Sequence, residues 1–139
     1  MEIARVEKNS SAPPHMFFEK WCDLPTHPEW APSMEYFILE GEFCVGMTGR
    51  SKPVDGTESI FTVTEIGPGY VYADATDLGG ATLTVRHEAV RTGEKTKVTL
   101  TGLVDGPQAV RIGANIAQDL QRALDKDLNS LIELLERNS

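Results

Sequence analysis

The residue best placed to do chemistry in this 139-residue chain is His87. In the run 81–91 (ATLTVRHEAVR), Leu83, Val85, His87 and Ala89 share one face of a strand, and Thr82, Thr84, Arg86 and Glu88 the other. If the aliphatic face turns inward, the imidazole turns with it. A histidine among apolar neighbours is most often a satisfied core residue. Its ring nonetheless titrates near neutrality, which suits a general acid, a general base or a hydrogen bond to a ligand. In the run 70–76, Tyr70, Tyr72 and Asp74 alternate with Val71, Ala73 and Ala75, and either set can face in. Inward tyrosines would set phenolic hydroxyls in an apolar interior, and the smaller set would leave room instead. Turning the tyrosines in also turns in Asp74, a carboxylate that then needs a partner.

Other chemistries lack their motifs. His15, His27 and His87 show no metal-ligand spacing and no Cys-x-x-Cys occurs, so neither metal nor cofactor is expected. No G-x-S-x-G elbow, P-loop or dinucleotide fingerprint is present. Cys22 and Cys44, in unrelated contexts, read as reduced, buried small hydrophobes.

The elements that must position these groups follow from hydrophobic period and turn residues. A first strand spans 2–10. Ser11-Ala12-Pro13-Pro14 breaks it and opens a short helix carrying Phe17, Phe18, Trp21 and Cys22, closed at Leu24-Pro25. A further helical turn follows over His27–Pro32, with Trp30 turned inward. Strands are then expected at 34–39, 43–51, 58–66, 70–76, 81–91 and 95–104, joined by turns too short for parallel crossovers. In the run 107–136, Gly113, Ile116, Ala117, Leu120, Leu124, Leu128, Leu131, Ile132 and Leu135 form one helical stripe. Asp105-Gly106-Pro107 would open this helix and Arg137-Asn138 close it. At 1.5 Å per residue it would be about 43 Å long. A twisted seven-stranded antiparallel sheet curls, and the long helix is the element able to cover its apolar face. The expectation is an α+β chain of one domain, residues 1–139.

A net charge of −8 argues against nucleic acid and against an anionic membrane surface. No apolar run is long enough to insert into a membrane, and no signal-peptide pattern opens the chain. The expected setting is the cytoplasm, as a monomer or homodimer.

The order of elements and a set of short motifs resemble the START-like, or SRPBCC, superfamily of helix-grip proteins. The motifs are Ser11-Ala12-Pro13-Pro14, Trp21-Cys22-Asp23-Leu24 and His27-Pro28-Glu29-Trp30 near the start, then Gly46-Met47-Thr48-Gly49 and Glu94-Lys95-Thr96-Lys97-Val98. Gly102 to Gly106 and the helix after it complete the likeness. The resemblance implies a cavity between the concave sheet and the C-terminal helix, with the two short helices at its entrance. Members hold lipids, polyketides or aromatic molecules there, and polyketide cyclases and dehydrases do chemistry in it. For this chain it implies a hydrophobic small-molecule ligand. The expected lining is Trp30, Tyr36, Phe61, Val63, Tyr72, Val85, His87 and Leu120, roofed by the small residues Gly113 and Ala117. The alternative is a cyclase- or dehydrase-type enzyme using His87 and Tyr72, with Arg50 facing inward to polarise a carbonyl.

Overall fold

In the computed structural model, residues 1–138 are described; Ser139, the last residue of the expected domain, lies outside them. Strand β1 (Glu2–Ser10) leads into helix α1 (Pro14–Cys22) and a 3-10 turn (Leu24–Glu29). The meander follows as β2 (Met34–Leu39), β3 (Thr48–Pro53), β4 (Ser59–Gly67), β5 (Val71–Asp77), β6 (Thr82–Thr92) and β7 (Lys95–Asp105). Helix α2 (Ala109–Arg137) ends the described chain. All seven strands join one antiparallel sheet in the order β1-β7-β6-β5-β4-β3-β2. The chain thus returns β7 to the edge where β1 began, and α2 lies across the inner face.

The main departure from the sequence expectation is β3. Strand pairing starts at Thr48, and residues 40–47 form a loop instead of half a strand. Cys44 is exposed in that loop, contrary to its expected burial, whereas Cys22 is half-buried with its thiol pushed up to about 11 by desolvation. At the start of α2 the capping position is Gln108, with no side-chain cap bond, so Asp105 does not cap the helix.

Two glycines let neighbouring layers approach. A Cβ on Gly49 would stand 2.4 Å from the Ile38 carbonyl oxygen and 2.6 Å from the Phe61 ring. Backbone cannot retreat as a flexible side chain can. Gly49→Ala should therefore cost about 1–3 kcal/mol by overpacking, read as a lower denaturation midpoint. On β7, a Cβ at Gly102 would stand 2.6 Å from Leu120 Cδ2, so this gap in the sheet is where Leu120 of α2 seats.

Polar ties hold the long helix at three places. The Gln121 side chain accepts from the Arg5 backbone N–H (2.9 Å) and donates to the Arg5 carbonyl (2.8 Å), along the sheet edge. Glu136 accepts from Ser10 Oγ and the Ser11 N–H, joining the end of α2 to the end of β1 and the turn after it. Between them Asp127 accepts from the Ser33 N–H (3.2 Å) and Ser33 Oγ (2.5 Å).

Candidate functional site

Beneath the middle of α2 lies a cavity of about 280 Å³. Leu120, Ala123, Leu124 and Asp127, spaced three and four apart, form its roof. Its floor is the inner face of the central strands: Asp74 and Thr76 on β5, Leu83, Val85 and His87 on β6, Leu100 on β7. His27, Trp30, Met34 and Phe37 close one side, with Ser33, Ser51 and Ser59 among the polar residues of the wall. A larger groove of about 490 Å³ lies on the outer face between Ile60, Asp77, Thr82 and Asp105. It is open, holds no aromatic side chain, and its two carboxylates, Asp77 and Asp105, are exposed to solvent. The inner cavity is the candidate site.

Pairing register explains which side chains face that way. Tyr72 pairs with His87, Asp74 with Val85 and Thr76 with Leu83, so all six share the concave face. Tyr72 is fully buried, and its hydroxyl donates to Asp74 Oδ2 at 2.7 Å. This supplies the partner that an inward Asp74 required. Burial of the carboxyl still outweighs that bond and raises Asp74 to about 6, while burial beside this carboxylate drives the Tyr72 phenol upward.

His87 donates from Nδ1 to the Tyr72 carbonyl at 3.0 Å, since a carbonyl can only accept. Its ring lies 5.2 Å from that of Trp21 and 5.5 Å from that of Tyr72. Desolvation, with a smaller contribution from His27, lowers it to about 3. His27 likewise donates from Nε2 to the Trp21 carbonyl at 2.9 Å, between the rings of Trp30 and Phe37, and burial lowers it to about 4. Both imidazoles are therefore neutral near pH 7, each with its tautomer fixed and one ring nitrogen left as an acceptor.

Of the residues nominated from the sequence, Trp30, Val85, His87 and Leu120 line the cavity. Tyr72, Phe61 and Val63 face inward and are buried, but they pack behind the wall and do not line the cavity; Phe61 fills the space that Gly49 leaves. Tyr36 faces out and donates to Glu58. A bulge between Met34 and Tyr36 shifts the register by one, so Met34 and Phe37 take the inward positions. Arg50 also faces out, half exposed, 3.5 Å from Glu40 and 3.5 Å from Glu58. The inward residues of β3 are Gly49 and Ser51. Gly113 is not a roof over open space: a Cβ there would stand 3.0 Å from Met1 Cε and 3.2 Å from Ile3 Cγ2, so it serves close packing on β1. Ala117 does not reach the cavity either, which begins one turn later.

Sequence reasoning missed Asp127, His27 and Ser33. Asp127 had a legible signal, standing three residues after Leu124 and four before Leu131, within the apolar stripe. Burial raises its carboxyl, and the two Ser33 bonds oppose that shift. His27 had none, because a 3-10 turn has no reliable inward face. Among the described residues no group of three His, Cys, Asp or Glu side chains is arranged to hold a metal ion.

No protein-family model matches the chain, and no curated protein matches its sequence. Solved structures do share its architecture. Ara h 8.0201 superposes with a TM-score of 0.67 at 15% identity, over 93% of this chain and 96% of that one. Norcoclaurine synthase from Thalictrum flavum, a point mutant in complex with a transition-state analogue, gives 0.72 at 18% identity over 97% and 94%. The di-domain aromatase/cyclase StfQ of the steffimycin biosynthetic pathway gives 0.73 at 13% identity over 96% of this chain and 44% of that one. The fold is the START-like, or SRPBCC, helix-grip fold that the sequence motifs resemble. At these identities the likeness is one of fold.

Proposed function

We propose that the protein binds a hydrophobic small molecule, of lipid, polyketide or aromatic type, in the cavity beneath the middle of α2. The observation that supports this reading is the cavity itself: about 280 Å³ of space walled mainly by apolar and aromatic side chains, with a few polar groups among them. A core folded only for stability closes such space, because unfilled volume is destabilising. The neighbours' names are consistent with it, one acting in a biosynthetic pathway and another holding a transition-state analogue. The enzymatic alternative rested on three groups, of which only His87 lines the cavity. Binding is the better-supported activity. No helix among the described residues is long and apolar enough to cross a membrane. The reading takes the protein to act in the cytoplasm, as a monomer or homodimer.

Val85→Trp tests the site. Val85 lies on the cavity floor beside Asp74, and an indole there would occupy ligand space. Native mass spectrometry of the purified wild type is expected to show a retained molecule, and the variant should lose it or bind at least about tenfold more weakly. Retention by a folded Val85→Trp protein would place the ligand elsewhere.

A further inference from the structure

The charges around the cavity narrow what it can hold. No lysine or arginine lines it, so an anionic ligand would find no counter-ion. Its charged side chains are both carboxylates, Asp74 and Asp127. Asp74 is 9% exposed and gives one carboxyl oxygen to the Tyr72 hydroxyl; among the described residues the other oxygen has no protein partner. Asp127 differs, because Ser33 occupies both of its oxygens. His87 is the diagonal neighbour of Asp74 on the same face, a backbone separation of about 7–8 Å, and Nε2 is its remaining acceptor. Donors are present as well: the Trp30 indole N–H, on a residue 4% exposed that forms part of the wall, has no partner among the described residues, and the hydroxyls of Ser51, Ser59 and Thr76 also line the cavity. In size, the cavity is roughly twice the ~150 Å³ that encloses one benzene. That is room for one or two rings, and less than a sterol or a long acyl chain fills.

We propose that the cavity takes a compact one- or two-ring hydrophobic molecule bearing a basic amine, with its ammonium seated on the free oxygen of Asp74 and within reach of His87. This rests on the reading of the cavity as a ligand site and gives that ligand a charge. A cation also resolves the cost of the site, since a buried carboxylate without a cationic partner is expensive and an ammonium supplies one. Carboxylates and phosphates are rejected by the same arrangement.

Three naphthalenes differing only in their polar end separate the possibilities: 2-(1-naphthyl)ethylamine, 2-(1-naphthyl)ethanol and 1-naphthylacetate, titrated calorimetrically at pH 7.5. The amine should bind at least about tenfold tighter than the alcohol, and the acid more weakly than either. In Asp74→Asn, which still accepts from Tyr72, the amine-to-alcohol ratio should fall to within about threefold of one. In the wild type that ratio should fall from pH 7.5 to pH 5 as Asp74 takes up its proton, a readout needing no variant. The other titratable groups near the cavity are Tyr72, Cys22, His27, His87 and Asp127. Burial keeps the first four neutral over this range; Asp127 is itself raised by burial, but both of its oxygens already accept from Ser33, so Asp74 is the carboxylate with an oxygen free for the amine. An alcohol or acid bound as tightly as the amine overturns the amine assignment and leaves the ligand site standing. A ratio that survives Asp74→Asn overturns Asp74 as the anchor. Failure of all three to bind overturns the ligand site with it.

Discussion

Replacing Trp21 with alanine should lower the unfolding free energy by about 3–5 kcal/mol, among the largest losses available to a single substitution here. Trp21 is fully buried, its ring 5.9 Å from that of Phe17 and 5.2 Å from that of His87. Its indole N–H has no hydrogen-bond partner among the described residues, so truncation breaks no polar contact there and the loss is one of packing and cavity formation. The Trp21 carbonyl, which holds His27, is backbone and survives the change. Urea denaturation of Trp21→Ala and Trp21→Phe distinguishes the two components. The phenylalanine variant keeps a ring between Phe17 and His87 and should retain most of the stability. Opening the space beside His87 also relieves its desolvation, so its titration, followed by NMR, should move up from about 3 toward ordinary histidine values. A cost below about 1 kcal/mol for Trp21→Ala would contradict the packing described.

Acid should destabilise the protein over a window set by its two buried histidines. In the unfolded chain each takes up a proton near pH 6.5; in the fold His27 does so only near 4 and His87 near 3. Below 6.5 the unfolded state therefore binds more protons, and stability falls with pH. Asp74 acts in the opposite sense. Its folded value of about 6 lies above the ordinary 3.8, so the folded state protonates first and gains stability as pH falls through that interval. At pH 4 each histidine has removed about 3 kcal/mol and Asp74 has returned about 2, a net loss of roughly 4 kcal/mol against pH 7. Glu136, lowered by its bonds to Ser10 and Ser11, adds to the loss, and Asp127, raised by burial, offsets some of it. Urea titrations at pH 7 and pH 4, at one ionic strength, measure the difference. His27→Gln can still donate to the Trp21 carbonyl and should flatten the dependence; equal stability at the two pH values in the wild type would refute it.

The fold was legible in the sequence because it depends on repeated signals. The stripe of leucines in α2, the turn glycines between strands and the alternation in β6 each recur over many residues, and small errors at the ends do not change the architecture. The site depends on single residues, and there pattern reading failed wherever one local irregularity changed parity. One bulged residue in β2 exchanged Tyr36 for Phe37, and the late start of β3 accompanied Arg50 facing water instead of the interior. The small residues of α2 carried the same ambiguity. Gly113 has no side chain either over a cavity or against a neighbouring strand, and only the positions of Met1 and Ile3 distinguish these cases. His87 was recoverable because β6 is regular along its whole pairing with β5 and β7.

The Gln121 amide on β1 has a further consequence for assembly. An exposed edge strand is ordinarily a template on which a second chain can extend the sheet. At Arg5 both outward backbone groups are already taken by a side chain of the same molecule, which stands in for the missing neighbour. Two copies could not fuse their sheets through this stretch without first displacing that amide, so association by sheet extension is directed away from the middle of β1. Gln121 is thus both a fastener for the roof of the cavity and a guard against templated aggregation, and a Gln121→Ala protein would lose both at once.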